Sequence, residues 1–189
     1  MLWFKDEISL TGFVRKQKYG NLKARLGIHR NGGDMMTAIT FEVPKQVTDE
    51  MMVLLLSADP DEQMIESYIH RAEIRVAKSA DQIVGVICTL TTRPLTVEIV
   101  NLAVRDDYQN HGIGAQLINE VIQHCRAEKV TTLAIGTGST SFGPLYLYQK
   151  LGFRMVGVDR DFFVRHYSRP IEENGLVLRD MIRLELNLK

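Results

Sequence analysis

The sequence has few of the features that mark secreted, metal-binding or membrane proteins. It contains two cysteines, Cys88 and Cys125, whose spacing fits neither a metal site nor a redox motif. Both lie within apolar patterns, which predicts buried, reduced thiols. No apolar run approaches the length of a membrane span, and no N-terminal run is long enough for a signal peptide. We therefore expect a cytoplasmic protein with no membrane contact and no bound metal.

The formal net charge of the whole chain is 0. No overall positive field therefore favours a nucleic-acid partner, and we do not expect one. The charge is nevertheless unevenly placed, because residues 1–36 hold seven Lys and Arg against three Asp and Glu, which gives this segment a net charge of +4. The segment shows no sustained hydrophobic period, and we predict it to be a disordered or loosely attached extension. Two interpretations remain open. In the first, Met35 or Met36 is the physiological start of the protein, and residues 1–36 are an upstream extension. In the second, residues 1–36 are a basic arm that binds a partner. Residues 37–189 have the length of one domain.

The hydrophobic periodicity of residues 37–189 predicts an α/β protein with a mixed sheet. The expected order is β-α-α-β-β-β-α-β-α-β-β. The strands are predicted at 37–43, 73–78, 82–91, 97–104, 131–135 and within 176–188, with 153–158 and 162–167 forming either one long interrupted strand, as in this order, or two pieces. The helices are predicted at 48–56, 60–71, 113–125 and 141–151. Thr48 and Ser141 are the expected N-caps, and Pro60 the expected first residue of its helix.

The stretch 97–118 is the clearest part of the pattern. A nearly continuous apolar, β-branched run is typical of a strand buried on both faces. The helix after it has one apolar face, formed by Ile113, Leu117, Ile118, Val121, Ile122 and Cys125. Gly112 and Gly114 stand at its start, where glycine lets the backbone approach a ligand with free amides. Such a helix N-terminus favours an anion such as a phosphate.

Two motifs here resemble those of the GNAT superfamily of N-acetyltransferases. Gln109-x-x-Gly112-x-Gly114 follows a strand that ends Asn101-Leu-Ala-Val104, and Leu147-Tyr-Gln-Lys-Leu-Gly-Phe153 follows in the order found in that family. The resemblance implies the GNAT fold, acetyl-CoA as cosubstrate, and two central strands that splay apart around the pantetheine arm. It implies a cofactor site formed by Leu102, Ala103, Val104, Gln109, Asn110, His111, Gly112, Ile113, Gly114, Ser141 and Tyr148. Ser141 and Pro144 stand where the family often has asparagine and alanine.

The resemblance also implies two catalytic residues. Glu98 stands where several GNAT enzymes carry a general base. The alternatives are that a water chain acts as the base, or that Glu98 is only a solvent-facing residue of the strand. Tyr148 stands where the family has a general acid near the sulfur, and core packing is its alternative. Simple alternation places Glu98 with Val100, Leu102 and Val104 on one face of the strand, and Asn101 on the other.

The sequence therefore predicts an enzyme that transfers an acetyl group from acetyl-CoA to a primary amine. The alternatives are a non-catalytic acyl-CoA-binding or sensing module and a partner-binding protein that uses residues 1–36. The oligomeric state stays open, although proteins of the GNAT superfamily often form homodimers through their terminal strands. The acceptor, a small molecule or a peptide amine, is not identified by any motif. The candidate residues for binding the acceptor are Phe162, Phe163, His166, Tyr167, Glu172 and Glu173.

Overall fold

The structure, a computed structural model, describes residues 38–189. The expectations for residues 1–36, and for Thr37 as the start of the first strand, lie outside the described residues. The elements are β1 (Ile39–Glu42), α1 (Asp49–Ala58), α2 (Glu62–Ile69), β2 (Glu73–Ser79), β3 (Gln82–Arg93), β4 (Thr96–Val104), a 3-10 turn (Asp106–Tyr108), α3 (Ile113–Ala127), β5 (Thr132–Gly138), α4 (Phe142–Lys150), β6 (Arg154–Asp159), α5 (Phe162–His166), β7 (Ile171–Glu173), β8 (Leu176–Leu178) and β9 (Met181–Asn187). The predicted mixed α/β fold is confirmed.

One seven-stranded sheet runs through the described residues in the order β1-β2-β3-β4-β5-β9-β6. Strands β4 and β5 are parallel, and the other neighbouring strands are antiparallel. Because parallel neighbours need a crossover connection, α3 lies between β4 and β5 in the chain. Strands β7 and β8 form a separate two-stranded hairpin.

Apolar side chains pack on both faces of the sheet. On one face, α3 and α4 cover a core that includes Leu117, Leu133 and Tyr148. On the other face, α1 and α2 cover a core whose strand residues come from β2, β3 and β4. The α3 residues predicted to form one apolar face are all buried. The second core leaves the β5, β9 and β6 part of its face to the groove described below.

Side chains cap the first two helices. Thr48 Oγ1 accepts a backbone hydrogen bond of 3.3 Å from the first turn of α1, as predicted. Asp61 Oδ1 accepts from two backbone amides of α2 at 3.0 and 3.4 Å. The prediction of Pro60 as the first residue of this helix was wrong, because Asp61 holds the N-cap position and the helix begins at Glu62.

The segment after β6 was predicted to be a strand and is a short helix, α5. Its aromatic and β-branched residues favour a strand locally. The chain turns sharply at Asp161, whose φ is 56°, and Arg165 Nη2 donates to the Arg160 carbonyl at 3.0 Å. The rings of Phe162 and His166, one helical turn apart, lie 4.7 Å from each other. These contacts outweigh the local propensity.

The last predicted strand, at 176–188, is two strands, β8 and β9. The expected turn at 172–175 joins β7 to β8, with Asn174 and Gly175 at φ values of 54° and 74°. Positive φ at two consecutive positions is the requirement of a tight hairpin turn. The extra hairpin lies against the start of α4, where it affects the candidate site.

Candidate active site

Strands β4 and β5 separate part-way along their length. They pair in register from Thr96 opposite Thr132 to Ile99 opposite Ile135, and no further pair follows. Strand β4 continues to Val104. We call the gap between the two strands beyond Ile99 the fork. It has the splayed form that the resemblance implied.

Backbone groups of β4 face the fork. Arg105 N donates to Val84 O at 2.9 Å, so Arg105 turns its amide towards β3. Along an antiparallel pair, residues that bond to the partner alternate with residues that do not. Leu102 and Val104 are therefore the residues whose N–H and C=O groups point into the fork, whereas the backbone of Ala103 is paired with β3.

The loop after the fork ends at the N-terminus of α3. Gly112 is the N-cap residue, with a φ of 81°, and no side chain caps the helix there. Its carbonyl accepts from Gln116 N at 3.0 Å, the first bond of the helix. The amides of the first turn, including those of Ile113 and Gly114, have no acceptor within the helix, because no helical carbonyl lies four residues before them. They form a positively polarised end that suits an anion.

The other loop residues shape this end of the helix. Gln109 Nε2 donates to Val104 O at 3.0 Å and to Asp106 Oδ1 at 3.3 Å, which ties the loop to the end of β4. Asn110 has a φ of 64°, and both it and His111 are exposed. A Cβ at Gly114 would contact only side-chain carbons at 3.7 Å or more, so the fold itself has space for it. The loop and the fork edge thus fit a ligand with a phosphate group and an amide-bearing arm.

Tyr148 lies on α4 within the core under α3. It is 7% exposed, and its ring centroid lies 6.1 Å from that of Phe153. None of the described residues forms a hydrogen bond with its hydroxyl group. Burial raises the pKa of the Tyr148 phenol, because desolvation disfavours the phenolate. The phenol therefore stays protonated and can donate a hydrogen bond.

Ser141 occupies the N-cap position of α4 as predicted, but its side chain makes no capping hydrogen bond. Its Oγ instead donates to Glu173 Oε2 at 2.5 Å. Thr140 Oγ1 donates to the same oxygen at 3.3 Å, and Asn174 Nδ2 donates to the Thr140 carbonyl at 2.8 Å. The β7–β8 hairpin therefore holds the start of α4, and Glu173 is engaged in this contact.

Strand β4 carries a bulge at the fork. Asn101 is opposite Cys88 on β3, whereas Ile99 is opposite Thr89, so Val100 is an extra residue with no partner. A bulge of this kind reverses the side-chain alternation that follows it.

The predicted assignment of faces was wrong because of this bulge. Glu98 is opposite Leu90 on β3, and Leu90 packs with the α1–α2 core. Leu102 and Val104 pack with the opposite core. Asn101, beyond the bulge, returns to the face of Glu98, so these two polar residues lie on the same side of the sheet.

Asn101 fixes the bulge to the helices. Its Nδ2 donates to the Leu55 carbonyl at 3.3 Å and to the Tyr68 hydroxyl at 2.9 Å. Its Oδ1 is buried without a partner among the described residues. The side chain thus holds β4 against α1 and α2, which agrees with a core hydrogen-bonding role.

A groove of about 390 Å³ lies on the face that Glu98 shares with Asn101. Its lining consists of Arg93, Glu98, Ala134, Ile135, Val156, Gly157, Arg183, Leu184 and Glu185. Glu98 Oε1 accepts from Arg183 Nη1 at 3.0 Å, and Arg183 Nη2 donates to Asp159 Oδ2 at 3.2 Å. The Arg183 guanidinium also lies 5.4 Å from the centroid of the Phe162 ring. Glu98 is therefore part of a charged groove rather than an isolated carboxylate.

Arg93, Arg183 and Glu185 were not among the predicted site residues. The signal was present in the last strand, where charged residues at 183 and 185 flank the buried Leu184. In a strand within the sheet, such alternation places both charges on one face. Of the predicted acceptor-site residues, Phe162 contacts the groove network, whereas Glu173 is held by the start of α4.

Comparison with known proteins identifies the family. The sequence model of the Acetyltransferase (GNAT) family matches residues 42–153, more than half of the chain. The chain belongs to the GNAT acetyltransferase family. An uncharacterised N-acetyltransferase of Bacillus subtilis (strain 168), YvbK, is 44% identical over 153 residues, which cover 81% of this chain and 99% of that relative. The predicted recognition is confirmed, and the chain is a GNAT N-acetyltransferase.

Solved GNAT structures agree with the described fold. A Bacillus subtilis acetyltransferase in complex with CoA is 43% identical, with a TM-score of 0.75, over 79% of this chain and 99% of that one. A GNAT family acetyltransferase from Elizabethkingia anophelis with acetyl-CoA bound is 40% identical, with a TM-score of 0.76, over 79% of this chain and 97% of that one. The predicted GNAT fold is confirmed, and similar GNAT proteins bind CoA or acetyl-CoA.

Two features are absent from the described residues. Between residues 38 and 189, no helix is both long and apolar enough to span a membrane. Over the same residues, no group of three or more His, Cys, Asp and Glu side chains is arranged to hold a metal ion.

Proposed function

We propose that this GNAT protein transfers the acetyl group of acetyl-CoA directly to a primary amine, with Glu98 as the general base and Tyr148 as the hydrogen-bond donor to the leaving sulfur. The observation that carries this proposal is the placement of the fork. One edge offers backbone groups to an extended ligand, and Glu98 and Tyr148 lie on opposite faces of the sheet beside it. A base and a proton donor on opposite sides of the reacting carbon suit a direct displacement.

The cofactor site rests on backbone groups. The N–H and C=O groups of Leu102 and Val104 would pair with the amides of the pantetheine arm, as an added strand does. The free amides from Gly112 to Gly114 would bind the pyrophosphate, with charge-assisted bonds worth roughly 1.5–3 kcal/mol each. When bound, acetyl-CoA supplies an acetyl group activated as a thioester. The remaining proposed contacts come from the residues around these two sites, namely Gln109, Asn110, His111, Ile113, Ser141 and Tyr148. Ala103 is not among them, because its backbone is paired with β3 and its side chain is 4% exposed within the α1–α2 core.

Two of these residues would act in restricted ways. Gln109 already bonds the Val104 carbonyl, so it would order the loop more than it contacts the ligand. The hydroxyl proton of Ser141 goes to Glu173, so Ser141 would contact the cofactor through its oxygen lone pairs.

Glu98 would remove the proton of the amine. Neutralising a lysine-like amine, of pKa near 10.4, costs about 4–5 kcal/mol at pH 7, so such an acceptor needs a base. The Glu98 side chain is 24% exposed, so it can be reached from the groove. Arg183 holds its Oε1, and no described residue bonds its Oε2, which is the oxygen left for the proton.

Tyr148 would serve the departing sulfur. Because burial raises the pKa of its phenol, Tyr148 carries its proton at any physiological pH. The unengaged hydroxyl can therefore donate a hydrogen bond to the negative charge that develops on sulfur as the carbon–sulfur bond breaks.

The direct test is thiol release from acetyl-CoA in the presence of a panel of primary amines, with mass detection of the acetylated product. We expect release that depends on the amine and equals the amount of product. Acetyl-CoA binding by calorimetry without thiol release for any amine would contradict catalysis. Release without an acetylated amine would mean hydrolysis and would contradict amine transfer.

The assembly and location remain predictions. For a homodimer through the terminal strands, one of the two sheet edges is β6, which exposes Met155, Val156 and Val158 at 52%, 56% and 57%. Light scattering of the purified protein tests this, with a monomer mass as the contrary result. The cytoplasmic location is testable by cell fractionation.

A further inference from the structure

The groove beside Glu98 contains charges of both signs. Arg93 and Arg183 supply two cations to its lining, and Glu98 and Glu185 supply two anions. Ala134 lies between the two acids in register, opposite Glu98 on one side and Glu185 on the other. Its small side chain leaves open space on the floor between them.

The two arginines differ in how firmly they are held. Arg183 donates through one nitrogen to Glu98 at 3.0 Å and through the other to Asp159 at 3.2 Å. Both ends of its guanidinium are therefore engaged. Arg93 has one partner among the residues that the structure describes, Glu185, at 3.5 Å. The Arg93 side chain is 67% exposed, and an exposed pair at this distance contributes little.

Arg93 reaches across the groove to make this contact. It starts from β3, and Glu185 is on β9, so β4 and β5 separate the two residues in the sheet. The side chains therefore meet above β4 and β5, on the face where Glu98 lies. The Arg93 guanidinium is thus a loosely bound cation next to the proposed base, with a forked set of donors that matches a carboxylate.

We propose that the acceptor of this enzyme is an amine that also carries a carboxylate, and that Arg93 determines this specificity by binding the carboxylate in place of Glu185. The proposal rests on the proposed function, because it takes the amine of the acceptor to lie at Glu98. Carboxylate binding at Arg93 releases Glu185, which then faces the ammonium end of the acceptor together with Glu98.

The same charges act against other amines. A purely cationic acceptor, such as a diamine or a polyamine, is attracted by Glu98 and Glu185. When it binds Glu185 it separates Glu185 from Arg93, and the positive charge of Arg93 is then left without a partner and repels the acceptor. A neutral amine leaves the Arg93–Glu185 pair intact across the groove. An acceptor with both charges is the class that satisfies every ionised group in the lining.

The test compares lysine with 1,5-diaminopentane, which differ only by the carboxylate. With the full-length protein and saturating acetyl-CoA, we expect kcat/KM for lysine to exceed that for the diamine at least tenfold, mainly through KM. Arg93→Met should reduce the lysine value to about that of the diamine and leave the KM of acetyl-CoA unchanged. Arg93→Lys, which keeps the charge, should restore part of the preference. Arg126→Met, on the exposed end of α3, is the matched control and should behave as wild type.

Two results would overturn the proposal while leaving amine transfer intact. One is equal use of lysine and the diamine by the wild-type protein, and the other is a lysine preference that persists in Arg93→Met. If neither amine releases thiol, the test is the affinity of the CoA-saturated protein for lysine and for 1,5-diaminopentane, measured by calorimetry. Equal affinities would reject the role of Arg93, whereas a lysine preference lost in Arg93→Met would support it even though the proposed reaction had failed.

Discussion

Arg183 and Glu98 form an ion pair across β5, with Arg183 Nη1 3.0 Å from Glu98 Oε1. The two residues come from β9 and β4, and the contact passes over the backbone of β5. The pair fixes the carboxylate on the face of the sheet that carries the groove, near the point where β4 and β5 separate. A base held in one position by a cation loses little side-chain freedom when the acceptor binds.

Glu98→Gln keeps the shape of this side chain and an oxygen for Arg183 but removes its basicity. We expect kcat with a lysine-like amine to fall about 10²–10⁴-fold at pH 7, the usual contribution of a general base, with no change in the KM of acetyl-CoA. Steady-state thiol release measures both. Glu120→Gln, on the exposed side of α3, is the control. A kcat equal to wild type in Glu98→Gln would assign the proton to a water chain instead.

Tyr148→Phe removes only the hydroxyl group from a packed ring. The expected result is at least a tenfold loss in kcat, with acetyl-CoA affinity and thermal stability close to wild type, since no described residue bonds this hydroxyl. Tyr146→Phe, 68% exposed on the same helix, should show no loss. A fall in stability without a fall in kcat would mean that Tyr148 serves the core alone.

The pH–rate profile gives a second readout for Tyr148. Because burial raises the pKa of Tyr148, its ionisation lies above the ordinary tyrosine value of about 10. The activity of the wild-type protein should therefore show no loss from this group below pH 10. An alkaline limb below pH 10 that disappears in Tyr148→Phe would contradict the assignment.

The two glycines of the loop should respond differently to alanine. Gly112 has a φ of 81°, and a Cβ in this region costs roughly 1–2 kcal/mol, so Gly112→Ala should lower the melting temperature. A Cβ at Gly114 meets nothing closer than 3.7 Å, so Gly114→Ala should fold normally and weaken acetyl-CoA binding by intruding on the ligand's approach. Scanning fluorimetry and calorimetry separate the effects. Normal acetyl-CoA affinity in Gly114→Ala would contradict the cradle.

Asp61 is expected to stabilise the protein as the N-cap of α2. Asp61→Ala removes the acceptor of two backbone bonds and should cost about 0.5–2 kcal/mol. Asp61→Asn, which retains a capping oxygen, should cost much less. Urea unfolding of the three proteins measures the difference, and an unchanged midpoint in Asp61→Ala would show that the cap contributes nothing.

Cys88 should make stability fall at alkaline pH. Burial raises the pKa of its thiol to about 12, whereas in the unfolded chain a cysteine ionises near 8.5. The unfolded state therefore releases this proton first, and the contribution is complete below pH 8.5 and is lost as pH rises towards 12. Urea unfolding at pH 7 and pH 10 should show a smaller decrease for Cys88→Ala than for wild type. Equal decreases would reject this role.

The fold and the loop could be predicted because their determinants are local. The apolar face of α3 repeats with the helical period, and the Gln109–Gly114 motif requires glycine where the chain turns into the helix. The Leu147–Phe153 motif fixed the position of α4. Gly152, at a φ of 93°, ends this helix as its residue type suggested.

The features that were missed depend on distant contacts. Nothing in the β-branched run around Val100 indicates a bulge, which is fixed by the pairing with β3 and by the bonds from Asn101 to α1 and α2. Alternation therefore gave the wrong face for Asn101. The helix α5 has the composition of a strand, and its aromatic residues are held by contacts with one another and with Arg183. A sequence pattern indicates the secondary structure that a segment favours locally, but not the distant contacts that can change it.

The separation of β4 from β5 also has a mechanical consequence. Four residue pairs, from Thr96–Thr132 to Ile99–Ile135, are the strand pairing that joins β1–β4 to β5, β9 and β6. The backbone pairing between these two sets of strands is therefore short, and side-chain packing in the core supplies the rest of their contact. A cosubstrate bound in the gap would add contacts between the two sets of strands and stabilise the folded state by mass action. The free energy of unfolding should then rise with the concentration of acetyl-CoA before any acceptor binds.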